Sequence, residues 1–121
     1  MKHYISVTIG RNYGAETKEV EHAWLRNRPM STDNWKDFQH TIRLILTQNC
    51  NIEGFVFNGT GEGKWAGISE DSYTVAVIAS DYDSDKLRHD LYMAGGDFGQ
   101  DAIALVVVPL PKGDETLIYC T

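Results

Sequence analysis

Cysteine is scarce: the chain has two, Cys50 and Cys120, too few for a disulfide framework. Both read as free thiols of a reducing compartment, which makes a cytoplasmic protein the expectation. Long apolar runs are missing as well. The longest, around Ala102–Leu110, is far too short to cross a bilayer. The opening Met1-Lys-His-Tyr-Ile-Ser-Val-Thr-Ile-Gly10 alternates where a signal peptide would hold an unbroken apolar stretch. Positive charge is also in deficit, with 11 basic against 17 acidic side chains and a net charge of −6. That balance excludes general binding to a phosphate backbone. The deficit is uneven. Residues 1–30 carry five basic and three acidic groups (+2), and residues 31–121 carry six and fourteen (−8).

Metal and catalytic signatures are equally sparse. His3, His22, His40 and His89 lack metal-ligand spacing to one another, and no cysteine pair brackets them. Asp81-x-Asp83-x-Asp85 copies the first ligand positions of a calcium loop, but Lys86 stands where that loop needs glycine and Tyr92 where it needs glutamate. Acidic residues opening a helix explain the run better. There is no Gly-x-Ser-x-Gly elbow. No cofactor, metal or catalytic residue is expected, and the reading leans away from an enzyme. Asn58-Gly-Thr60 fits a glycosylation sequon, which has no bearing on a chain without a secretion signal.

What is present is one domain's worth of chain, 121 residues at 42% apolar, enough for an ordinary core. Tyr4–Gly10 alternates as a strand. Ala15–Arg28 is ambiguous, with Val20, Ala23 and Trp24 favouring a short helix before Pro29 over an extended arm. Ser31-Thr32-Asp33 caps a helix over about Thr32–Gln48, in which Trp35, Phe38, Ile42, Ile45 and Leu46 form one stripe. Asn51–Asn58 and Tyr73–Ser80 are strands. A second helix starts near Asp81–Asp85, carries Leu87, Leu91 and Ala94, and stops at Gly95-Gly96. Ala102–Val108 reads as a buried strand, and Leu117–Cys120 as a short edge strand.

The order β-α-β-β-α-β predicts an α+β, ferredoxin-like domain: a four-stranded antiparallel sheet with two helices on one face and an insertion after the first strand. That topology gathers Gly10-Arg11-Asn12, Ser31-Thr32, Asn58–Gly67 and Gly95–Asp101 at one pole. Nine of the eleven glycines fall at or beside it. The glycine-rich Asn58–Gly67 is not a phosphate loop, because Trp65 replaces the hydroxyl residue and a strand follows. It is a hairpin loop. Arg11, Lys64 and the amino end of the first helix, with Arg26 and Arg28 nearby, could hold an anion there, unless Arg11 pairs with an acid such as Asp101.

Ile9-Gly-Arg-Asn12, Pro29-Met-Ser-x-x-x-Trp-x-x-Phe38, Gly61-x-Gly-x-Trp-x-Gly67 and Phe98-Gly-Gln-Asp-Ala-Ile-Ala104 resemble small bacterial and phage domain families of unknown function with ferredoxin-like organisation. The resemblance implies a phage accessory protein that binds a host component or sequesters a small signal. The expectation is thus a non-catalytic binding protein, such as an inhibitor of a host defence system, using Arg11, Asn12, Lys64, Trp65, Gln100 and Asp101. Two alternatives stand beside it: a nucleotide- or small-molecule-sequestering protein with an anion site, and a small dimeric enzyme. Partners would be a host protein or a small anionic ligand, and the open sheet edges allow a homo-oligomer.

Overall fold

Strand β1 (Lys2–Gly10) organises the sheet because its odd and even positions have different fates. Ile5, Val7 and Ile9 are fully buried. In the computed structural model, which describes residues 1–14, 24–65 and 67–111, they pack with Tyr73, Val75, Val77 and Ala79 of β3 (Ile68–Tyr82) against the helices. Period-two alternation puts every such residue on one face. β1 pairs antiparallel with β3 on one side and with β4 (Ala104–Leu110) on the other. β2 (Cys50–Trp65) completes the order β2-β3-β1-β4. With α1 (Thr32–Asn49) and α2 (Ser84–Asp97) on one face, this is the ferredoxin-like arrangement.

α1 forms where its apolar spacing and cap place it. The Ser31 hydroxyl accepts from the Asn34 amide at 3.2 Å, and Trp35, Phe38, Ile42, Ile45 and Leu46 are buried. Phe38 stacks on Phe98, with ring centroids 4.5 Å apart and planes 9° apart, joining α1 to the end of α2. At the opposite pole the buried Asn49 donates to Asp90 Oδ2 at 2.9 Å, and Lys86 Nζ reaches Asp90 at 2.8 Å and Asn49 Oδ1 at 3.1 Å. The hydrogen bond from Lys86, then that from Asn49, lowers the Asp90 carboxyl below its ordinary pKa.

Several expectations change. α2 runs through Gly95-Gly96 to Asp97, and the turn falls at Gly99, whose φ of 65° lies in the left-handed region. β4 is an edge strand with one face open: Val106 and Val108 are 48% and 43% exposed, so it is not the buried strand its composition implies. The segment expected as a short helix falls mostly on residues outside those described. Its end, Trp24–Asn27, is a 3₁₀ turn. The expected edge strand at Leu117–Cys120 and the thiol of Cys120 also lie outside them.

β2 and β3 are longer than predicted. The hairpin continues as a two-stranded arm, Gly61–Trp65 against Ile68–Ser72, beyond the point where β1 ends opposite Ser72. Gly67 turns the tip with φ 80°. The β2–β3 register slips three times, at Asn51/Ile52, Ile52/Gly54 and Phe55/Phe57. The last slip separates two phenylalanines that simple alternation would put together. Phe55 lies opposite Val77, and Phe57 opposite Ala76 on the helix-free face.

Phe38 is fully buried at the junction of both helices. Phe38→Ala should therefore lower the unfolding free energy by about 3–5 kcal/mol, measured by urea titration.

Candidate functional site

The pole expected from topology exists, and its loops are tied together by backbone hydrogen bonds. The segment after β1 is clasped to the residues leading into α1: Met30 N–H donates to Arg11 O, Tyr13 N–H to Arg28 O, and Asn27 N–H to Tyr13 O, all within 3.0 Å. It is equally tied to the α2–β4 junction. Gly14 N–H donates to Gly99 O at 2.8 Å, and the Gln100 side chain donates to Asn12 O at 3.0 Å. These bonds fix the loop backbone so that side chains can be aimed from it.

Between these loops and the arm lies a cleft of about 270 Å³. Thr8, Ile9 and Gly10 of β1 contribute to it, with Asn12, Tyr13 and Gly14 beyond them. Gly63, Lys64, Ile68, Glu70 and Ser72 supply the arm side, and Gln100–Ala104 the other. It thus brings together Asn12, Lys64, Gln100 and Asp101 of the expected set.

Arg11 is not among these residues. Its Nε donates to Met30 O at 2.9 Å, and its Nη1 meets Asp71 Oδ2 at 3.2 Å. The acid that engages it is Asp71, one residue along the arm from Glu70. Trp65 lies at the last position of β2, opposite Ile68. The amino end of α1 does not line the cleft either. The cationic site expected from Arg11, Lys64 and this helix end is therefore not assembled as a unit.

Glu70 is the residue the sequence reading missed. Its carboxylate lies directly over Gly10, where a Cβ would overlap it, and Oε2 accepts the Asn12 amide at 2.8 Å. Gly14 does the same for Asp101: a Cβ there would overlap that carboxylate and lie 2.8 Å from the Asp101 backbone nitrogen. Two glycines thus admit two carboxylates, and Lys64 is the one cation among the described residues that line the cleft. The net charge of these residues is negative, opposite to that of an anion site. The signal for Glu70 was its phase on β3. Even positions from Ile68 to Ile78 share the helix-free face, which fixes its side once the arm is known to exist.

Glycine alternation makes room for the cleft. Gly59, Gly61 and Gly63 lie opposite Thr74, Ser72 and Glu70 on one face of the hairpin; the Phe57 ring covers Gly59, 3.1 Å from where its Cβ would stand, and Gly61 and Gly63 leave the rest of that face of β2 without side chains. A Cβ on Gly61 or Gly63 would meet nothing closer than 3.7 Å, and neither has positive φ. No intrachain clash demands glycine at either site. In a strand such glycines mark close approach by another group.

The larger groove, about 780 Å³ between α2 and β4, shares Gln100–Ile103 with the cleft but includes neither Asn12 nor Lys64. Cys50 lies at the far pole. Burial pushes its thiol from 9.0 up to about 11, which suits a packing residue and not a nucleophile. Among the described residues no group of three or more His, Cys, Asp or Glu side chains could hold a metal, and no helix is long and apolar enough to cross a membrane.

Two outcomes follow. Because the folded-state pKa of Cys50 is raised, its contribution to stability is full below pH 9.0 and disappears as pH rises through about 11. Native Cys50 should resist alkylation at neutral pH and react on unfolding, read by peptide mapping. Gly14→Ala should destabilise more than Gly10→Ala, since the first displaces backbone and the second only the end of the Glu70 side chain. Parallel thermal melts check the order.

No family model matches the chain, and no curated protein does. Among solved structures, a phage SAM lyase in complex with S-methyl-5'-thioadenosine is 15% identical, with a TM-score of 0.47, over 88% of this chain and 80% of that one. A likeness at that level carries no functional conclusion.

Proposed function

We propose that this is a binding protein that takes a compact, donor-rich or cationic small molecule in the cleft beneath the β2–β3 arm. One observation carries the reading: Glu70 and Asp101 are seated over Gly10 and Gly14, where any larger residue would overlap them. A carboxylate held by a backbone amide, as Glu70 is by Asn12, keeps its direction. Such a group recognises an amine, guanidinium or hydroxyl-rich ligand.

Lys64 adds a single positive charge at the edge of the site. At about 270 Å³ the cleft is at or below the small end of ligand pockets, which argues against a whole nucleotide. The inhibitor reading calls for an exposed patch without a pocket, and the cleft weighs against it. The enzyme reading calls for a closed pocket with a perturbed titratable group. Among the described residues, the two groups with shifted pKa values, Cys50 and Asp90, are both remote from this open cleft.

A thermal-shift screen of amines, amino acids and polyols at millimolar concentration tests the proposal. A ligand at 100 times its Kd stabilises by about 2.7 kcal/mol. Glu70→Gln should abolish that shift while leaving the unliganded melting temperature nearly unchanged. Stabilisation by phosphate or nucleotides instead, lost in Lys64→Ala, would overturn the sign assigned to the ligand.

A further inference from the structure

Residues 61–64 and 67–71 of the arm include no buried side chain, and none of them belongs to the hydrophobic core. Side-chain pairing within the arm is equally poor. Gly61 lies opposite Ser72 and Gly63 opposite Glu70, so one face holds no pair of side chains. On the other face Glu62 stands directly opposite Asp71, a like-charge pair that weakens the ribbon. A segment with exposed backbone bonds and no buried apolar contact lies at the low end of local stability.

Four polar contacts tie the arm to the segment after β1. Arg11 N–H donates to Asp71 O at 2.9 Å, and Arg11 Nη1 to Asp71 Oδ2 at 3.2 Å. Asn12 N–H donates to Glu70 Oε2 at 2.8 Å, and Asn12 Nδ2 reaches Ser69 O at 3.5 Å. The same two residues are also held from the body. Arg11 Nε donates to Met30 O, Arg11 O accepts from the Met30 amide, and Asn12 O accepts from Gln100. The junction is therefore weaker on its arm side. We propose that the arm is a gate on the cleft, latched through Glu70 and Asp71. It lifts as a unit about the Gly61–Ser72 pair, where the support of β1 ends, while the sheet stays folded.

Opening changes what the cleft contains. Lys64, Ile68 and Glu70 leave with the arm, while Gln100 and Asp101 stay with the α2–β4 junction. Glu70 and Asp101 therefore share one cavity only when the arm is down. On the binding reading given above, a cationic ligand that engages both carboxylates holds the gate shut, because it binds the latched state better than the open one. Gly61 and Gly63 suit this role. Neither is demanded by an intrachain clash, and each lets the strand bend where the arm leaves the sheet.

Amide hydrogen exchange of the unliganded chain, followed by NMR, tests the gate. The Arg11 amide, whose acceptor is Asp71 O, reports arm opening. The Tyr13 and Gly14 amides, bonded to Arg28 O and Gly99 O, report the body. Arg11 should be less protected than Gly14 by about tenfold or more. Glu70→Ala should lower Arg11 protection about tenfold further, the share of a hydrogen bond to a charged group, with Tyr13 and Gly14 unchanged. Glu62→Ala removes the like-charge pair and no latch contact, and should not lower it. Equal protection of Arg11 and Gly14 overturns the proposal. So does an Arg11 amide that is indifferent to Glu70→Ala, one that Glu62→Ala exposes equally, or a loss of protection shared by all three amides. These readings need no ligand, so the gate and the binding proposal fail separately.

Discussion

The pairing of β1 with β3 is the constraint on which the rest of the structure depends. Ile5, Val7 and Ile9 of β1 and Tyr73, Val75, Val77 and Ala79 of β3, all at odd positions, are buried in the core shared with the helices. A one-residue slip would turn the whole set toward solvent, so the hydrophobic effect fixes the register tightly. Everything at the pole inherits that register. Gly10 faces Glu70 because Gly10 pairs with Ser72 and the two strands keep one phase. The helix-side core therefore positions a carboxylate several residues beyond its own edge.

The pole combines rigid and yielding parts. Its floor is sheet, and its loops are tied by main-chain bonds that no side-chain substitution removes directly. The arm has no such support on its outer side. Beyond Ser72 it is a two-stranded ribbon, marginal on its own in water. It is anchored at its base by Arg11, whose backbone amide donates to Asp71 O at 2.9 Å while its guanidinium grips the Asp71 side chain. Arg11, first considered as a ligand-binding cation, is better understood as the residue that sets where the arm leaves the sheet.

Much of the fold was legible because it rests on periodicity. The stripe of α1 and the alternation of β1 and β3 are statements about one face, and each was read from residue types alone. Asn12, Lys64, Gln100 and Asp101 were placed together by topology, which follows from element order. The remainder depended on quantities that residue types do not encode. Phe55 and Phe57 fall on opposite faces only because an extra residue is accommodated between them. Gly95-Gly96 looked like a helix end, yet Gly95 is buried against Ile103 at 3.4 Å from where its Cβ would stand, so packing retained it inside the helix. Glu70 was invisible because the glycine-rich stretch read as a loop, and a loop has no phase. Recognising Gly59, Gly61 and Gly63 as period-two would have revealed both the arm and its bare face.

The slips in the β2–β3 register have a further consequence. An edge strand with regular spacing offers a ladder on which unlimited copies can polymerise. Glu53 and Val56 are the residues passed over in β2, and Ser80 in β3, and each such interruption spoils the donor and acceptor spacing along that rim. At the other rim, Pro109 and Pro111 remove amides from the end of β4. Both margins of the sheet are thus poor templates for the addition of further strands.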